Sequence, residues 1–181
     1  METRDPSSLA PPVLVLGLGN VLLGDDGAGP TLLEQIRETY SGVAEVECID
    51  GGTQGLALLG YLANREALVI LDAFSTGKAP GEVSVLNKSE ILAFRASRAT
   101  TAHEGNAGEL LAVAELLGDL PNRVFLVGIE PERLRTELGL SSSVAAALPT
   151  ALLRAGEIVE QVLNEIRDKT PCLSAHAVPS I

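Results

Sequence analysis

The stretch from Val13 to Gly29, VLVLGLGNVLLGDDGAG, constrains the fold more than any other part of the chain. Its leading apolar run predicts a buried strand, and a glycine-rich turn that carries Asp25 and Asp26 separates this strand from a helix. In an open parallel sheet, ligands bind in the crevice beyond the carboxyl ends of the strands. The two carboxylates are therefore predicted to lie at the functional edge of an α/β sheet.

Strands and helices are predicted to alternate along the rest of the chain. Apolar or alternating runs over 44–49, 67–71 and 124–127 predict further strands, and a weaker strand over 82–86 is expected at an edge of the sheet. This alternation predicts a three-layer α/β/α sandwich.

Helix starts are indicated by local residue types. Pro30 fits a first helical turn, and Thr53 is expected to cap a helix that carries several leucines from Leu56 to Leu62. Thr100 and Thr101 are expected to cap a helix that begins near His103, and Ser141 to cap the last helix.

The length and composition limit the class of protein. The 181 residues are enough for one domain with a full core, which we assign to 13–168, with a flexible lead-in over 1–12 and a flexible tail over 169–181. A net charge of −11 and an aromatic content of 3% argue against nucleic acid as a partner. No segment has the pattern of a signal peptide or a membrane span, so we expect a cytoplasmic protein without a membrane partner. Cys48 and Cys172 are expected to be free thiols.

Three carboxylates are predicted to follow successive strands. Asp26, Asp50 and Asp72 would converge on one crevice if their strands are parallel neighbours. Each alone is compatible with an aspartate that satisfies backbone donors in a turn, but a desolvated cluster of three needs hydrogen bonds, shared protons or a cation. With His103 at a helix start, the ligand types suit nickel, zinc or manganese and do not distinguish between them.

The glycine turn also allows a dinucleotide-binding interpretation. The segment from Gly17 begins like G-x-G-x-x-G, but Leu22 occupies the third glycine position. Two carboxylates stand where a pyrophosphate would lie, which is electrostatically unfavourable. We therefore keep a nucleotide-dependent oxidoreductase only as a minor alternative. The sequence also lacks a G-x-S-x-G turn, and Cys48 falls inside a predicted strand, so a serine or cysteine protease is not indicated.

Six ordered blocks resemble the nickel-iron hydrogenase maturation endopeptidases: GLGNVLLGDDGAG, IDGGTQGLALL, VILDAF, TAHEGNAGELL, LVGIEPE and LGLSSSV. The resemblance extends from Val13 to about Ile166. It implies a mostly parallel, roughly five-stranded twisted sheet with one antiparallel strand, for which 82–86 is the candidate. It also implies an endopeptidase that removes the C-terminal peptide from the precursor of a hydrogenase large subunit after nickel insertion.

The resemblance further implies functions for individual residues. Asp26, Asp72 and His103 match the metal-contacting positions, and Asp50 becomes the candidate catalytic residue. Gly51, Gly52 and Thr53 in the DGGT block are candidate substrate-binding residues. We expect nickel to be supplied by the substrate, although another divalent ion could occupy the site. The alternative from a different class is a non-catalytic metal-site chaperone, which would bind the precursor without shortening it.

Overall fold

The computed structural model describes residues 10–97 and 105–169, which contain one five-stranded sheet. The strands are β1 (Val13–Leu18), β2 (Val46–Gly52), β3 (Ala67–Ala73), β4 (Val83–Asn87) and β5 (Arg123–Ile129). Their order across the sheet is β2-β1-β3-β5-β4. β4 pairs antiparallel with β5, and the other pairs are parallel. The predicted mostly parallel sheet with an antiparallel edge strand is confirmed.

Helices cover both faces of the sheet. They are α1 (Ala28–Thr39), α2 (Leu59–Leu62), α3 (Lys88–Ser97), α4 (Gly105–Leu117) and α5 (Ser142–Lys169). The two faces are distinguished by the strict alternation of side chains along each strand. In β1, Val13 and Val15 face the core with α1 and α5, whereas Leu14 and Leu16 face the core with α2, α3 and α4. The predicted three-layer α/β/α sandwich is confirmed.

Glycine is required where α1 passes over the strands. A Cβ atom on Gly29 would lie 2.1 Å from the carbonyl oxygen of Leu18 and 2.4 Å from that of Leu71. Both distances are far below van der Waals contact with backbone atoms that cannot move aside. The start of α1 therefore sits directly on the carboxyl ends of β1 and β3, and this brings the preceding turn to that edge of the sheet.

Of the predicted helix starts, those at Pro30 and Ser141 are confirmed and the one at Thr53 is wrong. The Ser141 hydroxyl accepts a hydrogen bond from the backbone N–H of Val144 at 3.3 Å, as expected of a helix cap. Thr53, by contrast, caps no helix. It is followed by a 3-10 turn over Gly55–Leu58 and then by the single turn of α2, with no side-chain cap at either start. The positive φ angles of Gly52 (46°) and Gly55 (54°) show why a longer helix cannot begin at Thr53.

Several expectations concern the ends of the described ranges. Pro11 and Pro12 in the predicted lead-in accept hydrogen bonds from Arg65 and from the start of β3. Residues 1–9, the tail from 170 and the predicted helix start at Thr100 to His103 lie outside the described residues. Within 10–97 and 105–169, no helix has the length and apolar character needed to cross a bilayer.

Candidate active site

The turn after β1 holds Asp26 at the carboxyl edge of the sheet. Gly19 has a φ of +125°, and a Cβ atom there would lie 1.9 Å from the carbonyl oxygen of Asp26. Only glycine allows this close approach. The next residue, Asn20, donates its backbone N–H to the Oδ2 atom of Asp26 at 2.7 Å. Burial nevertheless raises the pKa of Asp26, because this one hydrogen bond does not offset the loss of solvent.

The neighbouring Asp25 has a different environment. Its side chain is fully buried, and its Oδ2 atom accepts hydrogen bonds from the backbone N–H groups of Glu132 and Arg133, both at 2.9 Å. Its Oδ1 atom accepts from the N–H of Ser141 at 2.6 Å. Burial alone would raise the pKa of Asp25, but these hydrogen bonds outweigh it and the pKa is lowered. Asp25 therefore ties the turn to the segment before α5.

Asp72 brings a second carboxylate to the edge where Asp26 lies. It is partly buried in β3, in register with Gly128 of β5. Its pKa is raised well above the usual value, first by burial and then by the negative charge of Asp26. The two carboxylates are thus close enough to repel each other. Asp26 and Asp72 therefore influence each other electrostatically at the same edge of the sheet, and their predicted function as metal ligands stays a prediction.

Asp26 and Asp72 could supply two of the three ligands that were predicted for a metal ion. Among the ion pairs of the described residues, none includes either carboxylate, so no Lys or Arg of 10–97 or 105–169 is paired with Asp26 or Asp72. Within the same ranges no group of three His, Cys, Asp or Glu side chains is placed to hold a metal ion. The third predicted ligand, His103, lies in 98–104, outside the described residues. The three-ligand site therefore stays a prediction.

Asp50 lies on the opposite side of β1 from Asp72. It is exposed in β2, in register with Gly17 of β1, and its Oδ1 atom accepts the N–H of Gly52 at 3.0 Å. Because the sheet order is β2-β1-β3, Asp50, the Asp26 turn and Asp72 follow one another along the same edge.

The residues after Asp50 differ in their exposure to solvent. Gly51 is buried, and a Cβ atom there would lie 2.8–2.9 Å from side-chain carbons of Leu16, Leu18 and Leu58. It therefore packs against the core, whereas Thr53 is exposed beside the carboxyl edge. The predicted substrate contacts of Gly51, Gly52 and Thr53 stay a prediction.

Cys48 has no feature of a catalytic nucleophile. It lies within β2, as predicted, and is a free cysteine. Burial raises its pKa, which lowers the fraction of reactive thiolate.

One buried carboxylate, Glu130, was not predicted from the sequence. It follows β5 and accepts hydrogen bonds from the hydroxyls of Ser75 and Thr76 and from the backbone N–H groups of Thr76 and Gly77, at 2.6–3.2 Å. Its burial would raise the pKa, but these hydrogen bonds lower it overall. Glu130 thereby fixes the segment that follows Asp72. A signal for it exists in the sequence, because Glu130 follows a buried strand as closely as the other carboxylates do.

Comparison with known proteins gives one consistent assignment. The family model described as hydrogenase maturation protease matches residues 30–158. The hydrogenase 2 maturation protease of Escherichia coli (strain K12) is 36% identical over 157 residues, which cover 86% of this chain and 91% of that protein. The hydrogenase expression/formation protein HupD of Rhodobacter capsulatus is 38% identical over 144 residues, 79% of this chain and 69% of that protein.

A solved structure agrees with these relatives. The hydrogenase maturating endopeptidase HybD from Escherichia coli superimposes with a TM-score of 0.68 and 34% identity, covering 86% of this chain and 92% of that chain. The family model alone matches more than half of the chain, from α1 into α5. The protein therefore belongs to the hydrogenase maturation protease family, a family of peptidases.

Proposed function

We propose that this peptidase removes the C-terminal peptide from the precursor of a nickel-iron hydrogenase large subunit, and that Asp26, Asp72 and His103 recognise nickel carried by that precursor. The observation that carries the proposal is the meeting of Asp26 and Asp72 at one edge of the sheet. The identity of the precursor as partner and the cytoplasm as location are parts of the same proposal.

The nickel would arrive as part of the substrate. Two carboxylates and an imidazole suit a borderline divalent ion, and the ion would supply the positive charge that Asp26 and Asp72 lack among the described residues. A precursor without nickel would leave the two carboxylates repelling each other and would bind less well. Recognition of the ion would therefore restrict cleavage to precursors into which nickel has been inserted.

Cleavage of the peptide bond requires an attacking water and a group that accepts its proton. Asp50 is exposed on β2 at the same edge, so water reaches its carboxylate. As general base, it would take a proton from the water as the water oxygen attacks the scissile carbonyl carbon, and the proton would pass to the leaving amine when the C–N bond breaks. A divalent ion that is bound nearby can polarise the carbonyl group.

Mass spectrometry of a nickel-loaded precursor, before and after incubation with the protein, tests the proposal. We expect loss of the mass of the C-terminal peptide from the nickel-loaded precursor and no loss from the nickel-free precursor. Asp26→Asn, Asp72→Asn and His103→Ala should each abolish the shift. Asp168→Asn, on the exposed end of α5, is the matched control and should cleave like the wild type.

The general base is tested separately by single-turnover kinetics. Asp50→Asn should lower the cleavage rate by about 100-fold or more, with little change in precursor affinity.

An unshortened precursor with the wild-type protein would refute the peptidase activity. Full activity of His103→Ala and Asp26→Asn would refute recognition of nickel by these residues.

A further inference from the structure

Large aliphatic side chains are exposed on two segments near the Asp26 turn. Val21 and Leu22 lie in the turn after β1 and are 53% and 56% exposed, and Leu134 and Leu138 lie in the segment before α5 and are 55% and 78% exposed. We call these four residues the apolar rim. Single exposed aliphatic residues are common, but a concentration of them on adjoining segments indicates a binding surface.

Backbone hydrogen bonds hold the two segments of the rim together. The N–H of Glu137 donates to the carbonyl oxygen of Leu22 at 3.1 Å, and the N–H of Gly24 donates to the carbonyl oxygen of Glu137 at 2.8 Å. Leu22 also donates its N–H to the side chain of Asn20 at 3.0 Å. These bonds fix the backbones of the two segments relative to each other, which lowers the entropic cost of binding a partner.

The rim is continuous with the candidate active site. A Cβ atom on Gly27, the residue after Asp26, would lie 3.2 Å from the Cα atom and 3.6 Å from the Cγ1 atom of Val21, so Val21 packs over Gly27. The backbone of Asn20, next to Val21, donates the hydrogen bond to Asp26. A polypeptide that reaches Asp26 would therefore pass beside the rim.

The ionisable side chains of 131–141, the segment before α5, balance in charge, since Glu132 and Glu137 are matched by Arg133 and Arg135. Arg133 and Arg135 both form ion pairs with Glu137, at 3.0 and 2.9 Å. Their positive charges are thus partly neutralised in a chain whose net charge is −11. A surface of this kind fits an apolar peptide better than an acidic or a basic one.

We propose that the apolar rim docks an apolar segment of the precursor polypeptide beside the point of cleavage. This inference rests on the proposed function, since it names the surface by which the same active site holds its substrate. Covering exposed aliphatic side chains with an apolar partner removes their surface from water, which favours binding, and the four rim residues supply such surface. The rim therefore contributes to substrate affinity and not to the chemical step.

A double variant separates affinity from chemistry. Leu22→Ser with Leu138→Ser should raise KM for the nickel-loaded precursor about tenfold or more and leave kcat within twofold. The matched control is Leu116→Ser with Leu153→Ser, which changes two leucines that are 86% and 62% exposed on α4 and α5. The control should leave both constants unchanged. Binding of the precursor, measured by biolayer interferometry, should weaken by the same factor as KM rises.

The possible outcomes show whether the docking proposal fails alone or together with the peptidase proposal. If the wild type cleaves and the rim variant keeps its KM, the docking surface is refuted and the peptidase proposal stands. If the wild type neither binds nor cleaves the precursor, both are refuted. An equal rise in KM for the rim and control variants also refutes the rim.

Two further measurements test whether the rim variant is misfolded and whether the rim is a dimer interface. Circular dichroism checks that the rim variant folds, and Val21→Thr with Leu134→Ser replaces it if it does not. Light scattering tests whether the rim joins two copies of the chain. A wild-type dimer that the rim variant converts to a monomer, with KM unchanged, would assign the surface to a second copy and overturn the proposal.

Discussion

The environment of Asp25 gives a quantitative prediction for the variant Asp25→Asn. The substitution keeps the size of the side chain but replaces one carboxylate oxygen by an amide nitrogen and removes the charge. The buried carboxylate accepts three backbone N–H groups, from Glu132, Arg133 and Ser141. Asparagine has one acceptor oxygen, so it cannot satisfy the same three donors.

The expected loss of stability follows from these hydrogen bonds. If the amide oxygen takes the place of Oδ2, it still accepts from Glu132 and Arg133, and the amide nitrogen faces the N–H of Ser141. One hydrogen bond is then lost, two donors face each other, and the remaining bonds lose their ionic character. Since a hydrogen bond to a charged group contributes about 1.5–3 kcal/mol, we expect Asp25→Asn to lower the free energy of unfolding by about 2–4 kcal/mol.

Urea unfolding followed by far-UV circular dichroism measures this difference. The pKa of Asp25 is lowered in the folded state, so its ionised form contributes stability above the unfolded-state pKa of about 3.9 and loses it as the pH falls through the folded-state value. The difference between wild type and Asp25→Asn should therefore stay constant from pH 7 to about pH 5 and shrink in stronger acid. Asp168→Asn is the exposed control. A change of less than about 0.5 kcal/mol for Asp25→Asn at pH 7 would refute the reasoning.

Two more substitutions test the packing and the electrostatics of the same edge. Gly29→Ala should destabilise the protein by more than about 3 kcal/mol or prevent folding, because its methyl group would overlap the carbonyl oxygens of Leu18 and Leu71; Gly60→Ala, whose methyl group would meet no atom within 4 Å, should be neutral or stabilising in thermal melts. Asp72→Asn should stabilise the metal-free protein at pH 7 by about 0.5–2 kcal/mol while it abolishes cleavage. The raised pKa of Asp72 means that its ionised form opposes folding at neutral pH, so this gain should disappear as the pH falls towards 4, and an Asp72→Asn protein that is less stable at pH 7 would contradict it.

Elements with strong local patterns could be predicted from the sequence. The apolar run at 67–71 became the central strand β3, and the weaker pattern at 82–86 became the antiparallel edge strand β4. A strand that is buried on both faces needs apolar residues at every position, which gives a continuous apolar run. An edge strand is less buried and can carry polar residues, so its pattern is weaker. The layered architecture followed from the alternation of strands and helices, and the single antiparallel strand followed from the family resemblance.

The region after Asp50 could not be predicted correctly, for a local reason. A threonine before a leucine-rich run is a normal helix start, and nothing in those residues indicates that Gly52 and Gly55 adopt positive φ angles. The chain instead forms a 3-10 turn and one helical turn, and Leu56 is left 41% exposed. The positive φ angles, which glycine adopts at little cost, prevent a regular helix here although the neighbouring leucines favour one.

The different environments of Asp25 and Asp26 depend on contacts that are remote in sequence. The two residues are identical and adjacent, and both lie in the same 3-10 turn. Asp25 meets three N–H groups from a segment more than 100 residues away, whereas Asp26 receives one from Asn20 and faces Asp72. The hydrogen bonds of Asp25 hold the turn in place and allow Asp26 to stay in an environment that raises its pKa. The stability supplied by one carboxylate thus offsets the cost of placing the next one where a cation can bind.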